Sequence, residues 1–389
     1  MERTSRRDAR ARVVGVLAEA GAVSRADLAR RAALAPSTVS AVVSDLQAAG
    51  LVVEPAEPVH PPERQPVGRP PVLIALHRRA GVVAGIDFGK RHLRMAISDL
   101  SHQLLAERHR ALDADVPARE AIALARLMFE DALEEAGVQR DELVGIGMGL
   151  PGPVHRPSGQ LGDSTILPGW VGIRATDAVS EALGHPVEVE NDANLGALGE
   201  WMWGAGRGAD HMAYVKAATG IGAGFIVAGA PYVGAGGTAG ELGHTVVEPG
   251  GPICRCGNRG CLETLAGAPA VLGSLRDVHG DGLTLHDAVS LAVKGDSGCA
   301  RAIADAGSAI GTAVATLCNL FNPEKIVVGG DLGAAGELLL GPLRESLRRG
   351  AIRSAADDVE VLQGELGERA EVLGAVALVL GQAAHASTS

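Results

Sequence analysis

The chain has 389 residues, 47% apolar and 21% charged, with five cysteines and a net charge of −11. That length exceeds what one compact core holds and predicts two or three domains. No run of 18 apolar residues occurs and the opening MERTSRRDARARVV carries charges where a secretory leader needs its apolar segment, so neither a membrane span nor a leader is expected and a soluble cytoplasmic protein is the expectation.

Charge is distributed unevenly along the sequence. Residues 1–80 hold 12 arginines against 8 acidic residues, whereas the remainder is strongly acidic, so only the amino-terminal end suits a polyanion. From Asp8 to Ala20 the apolar positions Val13, Val14, Leu17 and Ala20 recur at helical spacing, and Gly21 ends the run. Ser24 and Asp27 make a capping-box-like start for a short second helix, Ala26 to Arg31. Pro36 suits the first turn of a third helix, in which Val39, Val42, Val43, Leu46 and Ala49 form the buried stripe. Ser37, Thr38, Ser40, Ala41 and Ser44 then face outward.

Leu51–Val53 and Val72–Leu76 read as two strands around a proline-rich tip that carries Arg64 and Arg69, which would form a wing. This is the spacing of a winged helix-turn-helix, with a three-helix dimerisation module as the alternative. In the DNA-binding reading Ser37, Thr38 and Ser40 meet base edges, Arg25, Arg30 and Arg31 serve phosphates, and Arg69 enters the minor groove. Two-fold recognition of a double-stranded operator requires at least a homodimer, with a homotetramer also open.

Beyond residue 80, short apolar runs that break into glycine alternate with helical stretches: VVAGIDFG, LRMAISDL, VGIGMGL, PVEVEND, MAYVKAATGIGAGFIVAG and KIVVGG. The pattern predicts an α/β fold with ligand-binding loops at the strand ends. The span from Gly240 to Glu263, GELGHTVVEPGGPICRCGNRGCLE, gathers His244, Cys254, Cys256 and Cys261. One imidazole and three thiols form the closed four-ligand set of structural zinc. An ordinary cysteine-bearing loop is the alternative, although Cys254 and Cys256 are too close in sequence to bridge one another without strain. Cys299 and Cys318 lie outside the cluster, which fits a reducing compartment. Glu241 and Glu263 beside it either pair with arginines and cap helices, or point into a pocket.

Residues 80–389 resemble the ROK family (repressors, open reading frames and kinases) through GELGH at 240–244, CRCGNRGCLE at 254–263, GIGMGLPGPV at 145–154, LPGW at 167–170, ENDAN at 190–194, ATGIGAG at 218–224 and IVVGGDL at 326–332. With its winged helix the whole chain resembles a ROK transcriptional regulator. The resemblance implies an amino-terminal winged helix-turn-helix, residues 1–78, followed by an actin-like, ribonuclease-H-like two-lobed sugar-kinase fold, residues 79–389, with a zinc loop at 244–261. It implies that Asn191, Asp192, Glu241, His244 and Glu263 bind a sugar, and that Asp192 stands where the kinases carry the base for the attacking hydroxyl. Read without the family, ENDAN is equally a strand end with helix-capping side chains. His244 would bind sugar and zinc together.

The nucleotide side departs from the kinase pattern. Asp87 and Gly89 open the first phosphate turn, but Arg91 stands where a small hydroxyl residue is expected, which weighs against ATP. The second turn keeps Thr219, Gly220 and Gly222 with Ala218 in place of a glycine, and Gly329–Gly330 resembles the adenine-side turn. Gly149–Gly152 and Trp170 are candidates to close over a ligand. The expected function is a sugar-responsive DNA-binding regulator, most simply a repressor. An ATP-dependent hexose or N-acetylhexosamine kinase with a DNA-binding extension is the alternative, and a scaffold without either activity the third.

Overall fold

A computed structural model of the chain describes residues 6–48, 50–54, 72–77, 81–112, 116–155, 159–161 and 167–386. The amino-terminal elements are α1 (Arg6–Ala20), β1 (Val23–Ser24), α2 (Arg25–Arg31), α3 (Pro36–Ala48), β2 (Val52–Val53) and β3 (Leu73–Leu76). The Ser24 hydroxyl accepts from the Asp27 amide at 3.1 Å and caps α2. Burial of Val39, Val42, Val43 and Leu46 fixes one face of α3 inward. Ser37, Ser40, Ala41 and Ser44 stay exposed, while Thr38 is half-buried. β3 pairs antiparallel with both β1 and β2, so a strand that sequence periodicity does not reveal completes the winged helix-turn-helix. Arg64 and Arg69 at the wing tip, and the expected 78/79 domain boundary, fall outside the described residues.

Next come β4 (Val82–Phe88), β5 (His92–Asp99), β6 (Leu104–Ala111), α4 (Ala118–Ala136), β7 (Leu143–Leu150), β8 (Val154–His155), β9 (Gln160–Leu161), α5 (Ala175–Leu183), β10 (Val187–Asn191) and α6 (Asp192–Trp203). Their main sheet has the order β10-β7-β4-β5-β6. β4, β5 and β6 form an antiparallel meander, and β7 and β10 add in parallel.

The second lobe contains β11 (Met212–Ala217), β12 (Ile221–Val227), β13 (Ala230–Tyr232), α7 (Glu263–Ala266), α8 (Ala268–His279), α9 (Leu285–Val293), α10 (Ser297–Phe321), β14 (Lys325–Gly329), α11 (Glu337–Gly350), α12 (Arg353–Asp358), β15 (Glu360–Gln363) and α13 (Ala370–Ala386). Its sheet order is β13-β12-β11-β14-β15, again an antiparallel meander followed by two parallel strands. The two lobes therefore repeat one plan, as the ribonuclease-H-like reading expects. α10 is long and apolar enough to cross a membrane by length and composition, but 56% of its apolar window is buried inside the protein.

Two helices exchange between the lobes. α6 leaves the first sheet after β10 and packs on β11 and β12 of the second, whereas α13 follows β15 and packs on β4 and β7 of the first. They meet backbone to backbone, because Gly374 in α13 lies against the Leu195 carbonyl and Gly199 in α6 lies against that of Ala370. α13 also packs on α1. Val13 and Leu17 of α1 share one buried cluster with Val83, Ala96, Val372, Val376 and Val379, so the winged helix has no core separate from the large domain.

A methyl group at Gly374 has no room without separating these helices. Gly374→Ala is expected to destabilise the protein by about 1–3 kcal/mol, as overpacking of a filled core does, read as a lower denaturant midpoint. A midpoint equal to that of the parent chain would contradict this close packing.

Candidate ligand cleft and metal loop

A cleft of about 410 Å³ opens where the strand ends of both lobes face each other. Gly89 to His92 from the β4–β5 turn, Asn191 and Asp192 at the start of α6, Thr219, Gly220 and Gly222 from the β11–β12 turn, and Glu241 and Glu263 all line it. Most residues singled out from sequence thus come together. Gly330 also lines the cleft, but Gly329 is turned away and packs on the Tyr214 ring. Gly152 is in the wall, whereas Trp170 is only 2% exposed and packs edge-on against Phe88 at 5.0 Å. The tryptophan is a core residue, not a lid.

Asn191 caps α6: its side-chain oxygen accepts from the amides of Ala193 and Asn194, and its amide group donates to the Gly152 carbonyl at 2.9 Å. Capping places Asp192 at the first helical position, with Oδ1 accepting from the Ala193 amide at 2.9 Å. Its other oxygen meets the Lys216 ammonium at 2.9 Å. Lys216 also pairs with Glu371 in the first turn of α13 at 3.0 Å. Burial works against the charge on Lys216, but Asp192 and Glu371 outweigh it and hold its pKa well above the ordinary value. Neither Lys216 nor Glu371 was singled out from sequence. A signal existed in the strand MAYVKA, where a lysine, one of four in the chain, interrupts an otherwise apolar run.

The first phosphate turn is filled differently from the sequence expectation. Arg91 is exposed, and it is His92 that folds over Gly89 and meets the Asp87 carboxylate at 2.7 Å. Asp87 is fully buried, and its second oxygen has no hydrogen-bond partner among the described residues. Burial raises its pKa, yet His92, Lys216 and Arg94 together hold it below the ordinary carboxylate value.

On the opposite wall Glu263 pairs with Arg255 through both carboxylate oxygens, at 2.8 and 3.0 Å, and accepts from the Ile221 amide. Glu241 has no arginine paired with it among the described residues and faces the His244 imidazole at 3.9 Å. Burial, the largest influence, raises its pKa above the ordinary value. His244 is not itself in the cleft wall; its Nε2 lies 3.9 Å from Glu241, and its Nδ1 faces Cys254 Sγ at 3.5 Å.

The ligand atoms of His244, Cys254, Cys256 and Cys261 all lie within 4.8 Å of one another. Tetrahedral zinc with Zn–S of about 2.3 Å and Zn–N of about 2.0–2.1 Å sets S···S near 3.8 Å and S···N near 3.6 Å. The Cys256–Cys261 separation is 3.7 Å and the Cys254–His244 separation 3.5 Å, so the donor set fits that ion. Gly260, at φ 67, lets the loop turn back directly against the Glu248 backbone. A second grouping, His279, Asp296 and Cys299, has a simpler cause: Asp296 caps α10 by accepting from the Cys299 amide at 2.8 Å, and burial pushes the Cys299 thiol up to about 11.

In the winged helix, Arg31 is exposed. Arg30 pairs with Asp27, and Arg25 lies 3.6 Å from Glu54 and 3.5 Å from Gln47. Two of the three arginines assigned to phosphates therefore already face acceptors within the protein.

A duplicated ribonuclease-H-like domain with a ligand cleft, fused to a winged helix, defines a sugar-kinase-like scaffold adapted to carry a DNA-binding unit. The ROK family profile matches residues 83–382, and that of the MarR family residues 6–60. The chain belongs to the ROK family. It is 30% identical over 358 residues to the xylose repressor of Bacillus spizizenii, covering 92% of this chain and 91% of that protein. A glucokinase of Halalkalibacterium halodurans is 33% identical over 318 residues, which cover 77% of this chain and 94% of the enzyme. The crystal structure of a ROK family transcriptional regulator, a homologue of the E. coli MLC protein, superposes with a TM-score of 0.76 at 25% identity and covers 98% of this chain and 97% of its own.

Removal of the imidazole tests the filled phosphate turn. With His92→Ala, burial of Asp87 is left uncompensated on that side, and a loss of about 1–3 kcal/mol is expected at pH 7. The sign follows from linkage: the depressed Asp87 pKa contributes stability above its unfolded value of 3.8 that is lost as pH falls. The gap between variant and parent in denaturant unfolding should therefore hold from pH 7 down to about 4 and narrow only as pH falls below 3.8; a gap that stays the same well below that value would contradict the pairing.

Proposed function

We propose that the protein is a sugar-responsive transcriptional regulator, most simply a repressor, in which a neutral sugar or sugar derivative binds the cleft and alters how the winged helix meets its operator. The observation that carries this reading is the combination of a carboxylate-lined cleft with a phosphate turn filled by the protein's own His92. Asp192, Glu241 and Glu263 offer acceptors to vicinal hydroxyls, and each such group left unpaired would penalise the wrong sugar. Xylose, glucose and N-acetylglucosamine form the first panel to try.

On the DNA side, Ser37 and Ser40 at the exposed start of α3 would meet base edges, with Thr38 beside them and Arg31 on phosphates. Two-fold operator recognition supports a homodimer or a higher even assembly. The kinase reading has one specific observation in its favour, Asp192 at the base position. Against it, Lys216 holds that carboxylate in an ion pair and His92 fills the phosphate turn.

Zinc at His244, Cys254, Cys256 and Cys261 would order the wall behind Glu241 and fix the imidazole through Nδ1, leaving Nε2 toward the cleft. The ion supplies structure there, and the sugar contacts belong to the side chains.

Thermal-shift measurements across the sugar panel, followed by mobility shifts on the chain's own upstream DNA with each stabilising sugar, test the regulator. At least one sugar should raise the melting temperature and change DNA affinity about tenfold, a coupling of about 1.4 kcal/mol. Robust ATP-dependent turnover abolished by Asp192→Asn would replace it with the kinase. Elemental analysis of freshly purified protein should find about one zinc per chain. His244→Ala is expected to lose both zinc and sugar response, and Glu241→Ala to keep zinc and lose only the sugar; zinc-free parent protein would sink the metal assignment.

A further inference from the structure

We propose that Lys216 is a positioning residue that ties the ligand cleft to the winged helix by holding the first turns of α6 and α13 together. Its ammonium group lies between Asp192, the first residue of α6, and Glu371, the second residue of α13. Both carboxylates are buried, at 9% and 4% exposure, and Tyr214 donates to Glu371 at 3.4 Å. Asp192 also lines the cleft, so a ligand hydroxyl that hydrogen-bonds to it competes with Lys216 for the same oxygen atoms.

What lies beyond Glu371 makes this pairing consequential. α13 is a single helix of 17 residues, on the order of 25 Å long, and its backbone contacts α6, β4 and β7 through glycines that admit no side chain. Such close packing transmits a displacement instead of absorbing it. The same helix packs on α1, and its Val372, Val376 and Val379 share the buried cluster of Val13 and Leu17. Just before α13, the amides of Glu365 and Leu366 donate to Glu200 of α6, while Glu368 pairs with Arg94 of β5. The entry to the helix is thus held by both lobes; Glu368 and Arg94 line the cleft as well, and Lys216 is the contact that joins Asp192 at the start of α6 to Glu371 in α13.

Spatial continuity alone does not establish coupling; a double-substitution cycle does. Hydrogen-exchange mass spectrometry on the intact chain reads it with neither sugar nor DNA, so its failure is separable from failure of the regulator assignment. The near-isosteric Asp192→Asn and Glu371→Gln are each expected to speed exchange in residues 9–17 of α1 about fivefold or more, and the double variant no more than the larger single effect. Glu241→Gln, in the same cleft but outside this chain of contacts, should leave α1 within about twofold of the parent. Lys216→Met should match the carboxylate variants and Lys216→Arg should restore most of the protection. The proposal is overturned if Asp192→Asn alters exchange only in residues 187–217, if the two carboxylate effects add, or if Glu241→Gln acts on α1 equally.

Discussion

Two buried carboxylates on different helices can both remain charged only with a cation between them, and Lys216 is that cation. Without it, Asp192 and Glu371 would face each other in a poorly solvated interior, where one takes up a proton or the helices separate. Removing one partner of such a buried arrangement typically costs about 3–5 kcal/mol, since the remaining charge is stranded. The position of each carboxylate in the first turn of its helix adds a second reason for the geometry, because the unsatisfied amides there favour negative charge. A local ion triad therefore fixes where the two exchanged helices begin.

The duplicated plan explains why those helix starts coincide. Each lobe sends one helix onto the sheet of the other, so the two must cross, and the cleft forms where their amino termini face the strand ends. Gly199 and Gly374 set the separation at the crossing, while Lys216 sets it at the mouth. Because α13 also covers the first helix of the winged unit, the DNA-binding module is built onto the crossing helix instead of hanging from a linker. The cleft and the winged helix are thus parts of one packed body.

Much of this was legible in the chain itself, for identifiable reasons. Val39, Val42, Val43 and Leu46 in α3, and the apolar strands 82–88 and 143–150, follow simple periodicities that burial enforces. The cluster of His244, Cys254, Cys256 and Cys261 and the ENDAN segment are local in sequence and carry their chemistry with them. Lys216 with Glu371 was not legible, since the partners are 155 positions apart and neither belongs to a local pattern. For the same reason the bulky Arg91 drew attention in the phosphate turn, although the residue that fills it is His92, whose role depends on the buried position of Asp87 beneath it. Trp170 points to the same distinction: its place beside a glycine-rich stretch made it a candidate to close over a ligand, whereas its packing on Phe88 makes it core.

Charge accounting in the cleft bears on the kind of ligand it suits. Lys216 faces Asp192 and Glu371, Arg255 faces Glu263 and Arg94 faces Glu368, so these three cations are already paired with carboxylates of the protein, while Lys90 and the exposed Arg91 also line the cleft. A phosphate that engaged one of the three paired cations would strand its carboxylate partner. A neutral polyol asks for less: its hydroxyls donate to carboxylate oxygens and accept from ammonium or guanidinium hydrogens, exchanging bonds without changing the net charge of a poorly solvated site. Glu241, raised by burial and without an arginine of its own, is the wall residue with most to gain from a hydroxyl donor. The paired charges of the inner cleft thus leave hydrogen-bond donors and acceptors suited to hydroxyl groups, beside the backbone turns of a phosphate-binding fold.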